Sequence, residues 1–287
     1  MGLLGNIIGW RGSAFIEKFT GKTPVDTAYK EVWIKTASGH SIYAHIHRPI
    51  TPGKFPGVVF VPGGGSPGTD YDKGNGVRAK DVASLGFVAL HYDPSGRGKS
   101  SGKEDYWGPL HQQELSQVVD YFSHSNDVME NDIGIMSFSI GITIASGALA
   151  RFPMPKVRYL FDWEGPSNRF NTTKNDTHKP LKGFPTSNDE FWKEREAATF
   201  IGDIECAYFR YQADIDHVQE GYKGHAIELL NNATKGKALW TRCNDNPTNS
   251  LFDEKKTDEY YWVPQHLNHK GQVLKYLIEV ADIKCTR

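Results

Sequence analysis

The chain has 287 residues, 38% of them hydrophobic and 23% charged, a composition that excludes a disordered or fibrous protein. Lys and Arg total 33 against 34 acidic residues, so no one-signed field favours nucleic acid or anionic lipid, and a neutral or weakly polar small molecule is the expected partner. Cys206, Cys243 and Cys285 follow no CxxC spacing, which excludes a disulfide framework and fits a reduced cytoplasmic protein, and no run approaches the roughly 18 apolar residues of a membrane span.

In chain order, residues 1–29 read as an N-terminal extension. Its apolar pattern from Met1 to Phe19 predicts a short amphipathic helix against the body, not a signal peptide, because no basic residue precedes it. Glu31 to Thr36 and Ser41 to His47 alternate apolar and polar residues around Ser38-Gly39, which predicts an antiparallel hairpin at a sheet edge. His45 and His47 share the polar face of the second strand. Two imidazoles could hold a metal. With no third ligand nearby in sequence, the pattern predicts a solvated strand face and neither metal nor cofactor.

Short apolar runs follow at Gly57 to Val61, Gly86 to Leu90, Asp132 to Met136, Val157 to Phe161, Ala207 to Tyr211 and Ala238 to Thr241, as in buried parallel strands. Helical segments lie between or after them at Val77 to Leu85, Leu110 to Phe122, Ile140 to Arg151, Gly224 to Thr234 and Lys270 to Val280. Alternating strands and helices predict one α/β domain over residues 1–287. Its sheet has about eight mostly parallel strands flanked by helices. The polar stretch from about 166 to 199 breaks the rhythm and reads as a small lid insertion.

Two loops carry chemistry. The strand ending at Met136 runs into Ser137-Phe138-Ser139-Ile140-Gly141, and a helix starts at once. A strand, a sharp turn and a helix around a central serine is the nucleophile-elbow pattern, with Ser137 in place of the first glycine. The turn exposes the Ser139 hydroxyl, and the Ile140 N–H becomes an oxyanion donor at a helix N-terminus. Serine also caps helices, so the elbow needs its context. That context is Val61-Pro62-Gly63-Gly64-Gly65-Ser66-Pro67-Gly68 after an earlier strand, where glycines let backbone N–H groups approach a ligand. Gly64 is the first choice for the second oxyanion donor, with Gly65 next. The loop lacks the Gly-Lys-Ser/Thr end of a phosphate-binding loop. Asp93-Pro94-Ser95-Gly96-Arg97-Gly98-Lys99-Ser100 has no nucleotide-binding spacing either, and reads as a structural loop with Asp93 and Arg97 as a candidate pair.

With these three motifs in this order, the chain resembles the α/β-hydrolase superfamily over nearly its whole length. Phe191 to Cys206 resembles the run-up to the acid strand in dienelactone-hydrolase-like and prolyl-oligopeptidase-like members. The resemblance implies a triad in the order serine, acid, histidine. The acid is expected after Ala207 to Gln212. There Ala213-Asp214-Ile215-Asp216-His217-Val218 resembles the family's acid turn and makes Asp216 the first choice; Asp245, Asp214 and Glu164 are alternatives. The base is expected just before the C-terminal helix, at His269 ahead of His266. His217 is expected to be structural, and His91, at a strand end, is a candidate pocket residue.

The resemblance therefore implies hydrolysis of small carboxylic esters through an acyl-enzyme, without cofactor, nucleic acid or membrane, and compatible with a homo-oligomer. A peptidase or amidase acting on short peptides, a lactone hydrolase, and a ligand-binding protein on a hydrolase scaffold are the alternatives.

Overall fold

The computed structural model describes residues 13–74 and 76–283. Eight strands form one sheet: β1 (Thr27–Lys35), β2 (Ser41–Pro49), β3 (Phe55–Val61), β4 (Val88–Tyr92), β5 (Val128–Phe138), β6 (Val157–Trp163), β7 (Ala207–Tyr211) and β8 (Thr241–Cys243). Their order is β1-β2-β4-β3-β5-β6-β7-β8. Strand β2 runs antiparallel to both β1 and β4, and the pairs from β4–β3 to β7–β8 are parallel.

The apolar runs are continuous because the sheet is covered on both faces. Helices α1 (Ala79–Ala83), α2 (Pro109–Ser123), α3 (Gly141–Arg151), α4 (Gly224–Lys235) and α5 (His269–Asp282) supply the cover. Val59, Val61, Ile133, Ile135 and Leu160 face α2, α3 and α4. Their strand neighbours Val58, Phe60, Met136 and Phe161 face α1 and α5. This is the period-2 alternation of a strand expressed on two dry faces. Residues 13–20 are helical and add Ile16 to the second layer, with Phe19 against Gly271 of α5. The rest of the expected N-terminal helix, and Cys285, lie outside the described residues. No described helix is long and apolar enough to cross a membrane.

Three expectations change. The last strand begins at Thr241, because Leu239 and Trp240 make only the entering backbone hydrogen bonds to Cys206 and Tyr208. Arg97 pairs with Glu104, at 2.6 and 2.8 Å, while Asp93 accepts the N–H groups of Thr69 and Lys99. His45 and His47 are 9% and 6% exposed rather than solvated, because the turn Gly68–Asp72 folds over that face of β2. The lid carries only short helical turns, such as Arg169–Thr173 and Asp189–Trp192, pinned by Arg169 to Glu196 and by the buried Trp192.

A buried polar chain ties β6 to β7. The Arg210 guanidinium, with no exposed surface, donates to Asp162 at 2.5 Å, to Gln212 at 2.6 Å and to the Gly165 carbonyl at 2.9 Å. Tyr208 and the Gly165 N–H also donate to Asp162. Removing one partner strands the other charge in a dry interior. Arg210→Leu is expected to cost about 3–5 kcal/mol of unfolding free energy, whereas the double change with Asp162→Leu recovers part of it. Urea denaturation measures both; a loss below about 1 kcal/mol in the single variant would contradict the account.

Candidate functional site

The site sits at the carboxyl ends of β3, β5 and β6. Strand β5 ends at Phe138, and α3 begins at Gly141. Between them Ser139 has φ 53°, a left-handed conformation that costs a non-glycine residue about 1–3 kcal/mol. Its N–H donates to the Trp163 carbonyl (2.9 Å), and its carbonyl accepts from Ile142 (3.2 Å), so the turn is held from both sides. The Ser139 hydroxyl makes no hydrogen bond to a described residue. In unliganded sites such bonds commonly tighten only when substrate arrives.

The loop after β3 crosses this turn at backbone contact. A Cβ on Gly63 would stand 2.7 Å from the Phe138 carbonyl oxygen and 2.9 Å from the Ser139 Cβ. A Cβ on Gly141 would stand 2.8 Å from the Val61 and Pro62 carbonyl oxygens. Gly64 has φ 54°. The Gly63 carbonyl accepts from Ser66 (3.1 Å) and the Gly64 carbonyl from the Trp107 indole (2.7 Å). A planar trans peptide points its N–H opposite to its carbonyl, so each bond turns the following N–H, of Gly64 and Gly65, the other way. Among the described residues, the N–H groups of Gly64 and Ile140 have no acceptor.

A carboxylate and an imidazole meet beside the turn. Glu164 follows β6, is 6% exposed and has φ 54°. It accepts from the Ala213 N–H (3.1 Å) and contacts His217 Nδ1 at 2.9 Å. The His217 ring stacks on Phe138, the residue before Ser139, with centroids 4.8 Å apart and planes at 18°. Asp216 lies next to it, but its carboxylate is engaged by two backbone N–H groups and Gln212, and the buried His225 Nε2 stands 3.4 Å from it. One oxygen accepts the N–H groups of Val218 and Gln219, both at 2.7 Å, and the other accepts Gln212 Nε2 at 2.6 Å. This Asx turn fixes the backbone on both sides of His217.

The expected base makes a different contact. His269 is the first residue of α5, and its Nδ1 contacts the Tyr211 hydroxyl at 2.6 Å. Among the described residues no hydrogen bond joins Asp216 to His269. Burial, reinforced by the Glu164 charge, holds the Tyr211 phenol far above its ordinary range, so His269 faces a neutral hydroxyl. Asp245 is exposed and accepts from Tyr276 of α5 (2.8 Å). Asp214 accepts the Ile215 N–H, and His266 is exposed. His91 is fully buried and lines neither cavity at Ser139. The pairing of His217 with Glu164 was readable only as two separate weak signals. The residues lie 53 positions apart, and a parallel crossover brings them together.

Two cavities open on Ser139. One, of about 410 Å³, runs along the β3 loop past Tyr71, Val77, Phe138 and Trp163. The other, of about 330 Å³, lies beneath the lid against Trp107, Ile140, Leu181, His217 and Val218. Each is of the size that encloses a small organic group.

No family model matches the chain, and no curated protein matches it. Among solved structures it is similar to an esterase from Pyrococcus furiosus, with TM-score 0.59, 15% identity and 88% of each chain covered. It is similar to a puromycin-hydrolyzing peptidase from Mycobacterium tuberculosis, with TM-score 0.62 and 13% identity over 88% of this chain and 38% of that one. A CocE/NonD family hydrolase from Staphylococcus aureus gives TM-score 0.57 and 15% identity over 76% and 46%. The chain thus spans less than half the length of the last two. Together with the strand order and the turn after β5, these likenesses identify the architecture: the chain has the α/β-hydrolase fold.

Proposed function

We propose that the protein is a serine hydrolase that cleaves carboxylic esters of small molecules through an acyl-enzyme. One arrangement carries the reading. Ser139 is held in a strained turn between two cavities, beside two backbone N–H groups that have no acceptor among the described residues and next to Phe138, on which a carboxylate-bound histidine stacks. Ser139 is the nucleophile, and the N–H groups of Ile140 and Gly64 receive the oxyanion.

For the base the sequence favours His269 with Asp216. The contacts favour His217 with Glu164. An ionised carboxylate only accepts, so Glu164 keeps the proton on His217 Nδ1 and leaves the Nε2 lone pair to take the Ser139 proton. It also offsets the imidazolium charge that forms, which the neutral Tyr211 phenol beside His269 cannot do. Asp216 acts as a positioning residue through its turn. In the second half-reaction His217 takes a proton from water, the hydroxide adds to the acyl carbonyl, and the Ser139 Oγ–acyl bond breaks as the imidazolium returns its proton to the serine oxygen.

The same geometry orients the substrate. The imidazolium returns its proton to the leaving alkoxide, so the alcohol occupies the cavity that His217 lines, beneath the lid. The acyl chain then lies in the cavity along the β3 loop, against Tyr71, Val77 and Trp163. Both cavities offer apolar walls beside the scissile bond, which suits the two halves of a small ester. A panel of esters, lactones and short peptide amides with the wild type tests the substrate class; turnover of amides alone would overturn the ester reading.

Ser139→Ala is expected to lower kcat on a short p-nitrophenyl ester by at least about 10⁴-fold and to abolish fluorophosphonate labelling. Retained labelling would remove Ser139 from the mechanism. His217→Ala and Glu164→Gln should each lower kcat by about 10²–10⁴-fold, with His269→Ala less than about tenfold down. The reverse ranking would transfer the base to His269. Gly63→Val forces the oxyanion loop off the elbow and should lower kcat by roughly 10²-fold or more, with folding checked by circular dichroism.

A further inference from the structure

We infer that His45, His47, Asp72 and His91 form a zinc site that fastens the far end of the oxyanion loop to the sheet. It lies apart from the hydrolytic centre and does not depend on the ester reading. His45 and His47 are two residues apart on β2, and His91 is the direct cross-strand partner of His45 on β4, so all three imidazoles leave the same face of the sheet. Asp72 ends the turn Gly68–Asp72 that folds over them. One ligand atom from each of the four lies within 4.8 Å of every other.

The contacts converge on Asp72. His45 Nδ1 is 2.6 Å from one carboxylate oxygen; His47 Nε2 and His91 Nε2 are 2.7 and 3.0 Å from the other. His47 Nε2 is buried and still has no hydrogen-bond partner. It is near the oxygen, but its N–H direction misses it. His45 Nδ1 and His91 Nε2 hydrogen-bond to the two oxygens of Asp72, which leaves His47 Nε2 as the donor with no partner, and a metal ion would engage all four groups at once. In a tetrahedral zinc site with bonds of about 2.0–2.1 Å, ligand atoms stand roughly 3.3 Å apart. The separations here, from 2.6 Å to at most 4.8 Å, bracket that value.

The donor chemistry selects the metal. Three imidazole nitrogens and one carboxylate oxygen suit zinc, and four protein ligands make a closed, structural set. An outer partner is present too: His45 Nε2 contacts the Tyr43 hydroxyl at 2.7 Å, and Lys99 donates to the same oxygen at 2.8 Å. With Nδ1 given to the metal instead of Asp72, Nε2 would carry the proton and donate it to the Tyr43 oxygen. Tyr29 stacks over His47 at 5.4 Å and screens the site from the side of β1.

The site has a structural consequence. Residues 62–72 form one continuous segment. Gly63 at its start crosses the elbow, Tyr71 bonds back to the Val61 carbonyl (3.1 Å), and Asp72 closes it. Zinc would clamp that end to β2 and β4 and stiffen the wall of the cavity along the loop.

The test uses the full chain, stripped with a chelator and titrated with Zn2+ against a chromophoric competitor. One zinc per chain is expected, and the Co2+ form should show the intense visible bands of tetrahedral cobalt. Asp72→Asn and His47→Gln should each weaken zinc binding by more than the roughly 10–100-fold that loss of an outer partner costs. Hydrogen exchange at residues 66–73 should slow when zinc is added to the wild type. Absence of stoichiometric zinc, weak octahedral cobalt bands, or undiminished affinity in both variants would overturn the site and leave a hydrogen-bonded His–Asp cluster. If a variant fails to fold, the wild-type cobalt spectrum decides alone. Unchanged exchange at 66–73 would overturn the clamp.

Discussion

Two backbones cross at van der Waals distance above the sheet, and the candidate centre depends on that crossing. The loop after β3 lies on the turn after β5 with nothing between them but the hydrogens of Gly63 and Gly141. A side chain at either position would force the loop and the turn apart. That would displace the Gly64 and Ile140 N–H groups, on the loop and at the start of α3, relative to each other. The left-handed backbone at Ser139 belongs to the same constraint, because only so sharp a turn passes beneath the loop and still starts a helix.

The second support is polar and buried. Asp162, Arg210 and Gln212 form a hydrogen-bonded chain inside the sheet, and its last link is the Asp216 carboxylate. Asp216 caps the N–H groups that follow it, which fixes the segment carrying His217 toward Glu164 and Phe138. Glu164 follows β6 and His217 follows β7, while His269, at the start of α5, meets the Tyr211 hydroxyl. The residues after β8 pack against Ala213 and Asp214.

Such a site asks little of long-range electrostatics. The formal net charge is −1, and the cavities that open on Ser139 are walled by Phe138, Trp163 and Trp107. On the proposed reading, preorganised N–H groups there would stabilise developing charge without first having to reorient. The lid, pinned by Arg169, Trp192 and Arg195, closes the second cavity with short turns whose helices are too brief to stand alone.

The sequence by itself determined the strand and helix order, the two-faced burial of the parallel strands, the lid and the elbow at Ser139. Each of these is written in local periodicity or in a run of adjacent residues. Local pattern also pointed to Gly64 and Ile140, whose N–H groups have no acceptor among the described residues. What tertiary structure decided is everything that depends on pairs distant in sequence. His217 meets Glu164 across 53 positions, Arg97 meets Glu104 instead of Asp93, and His45 and His47 gain His91 and Asp72 from another strand and a covering turn. The physical reason is the crossover. A parallel sheet sets side by side the ends of strands that a whole helix separates in the chain, so no spacing rule within the sequence can report which side chains those ends will share.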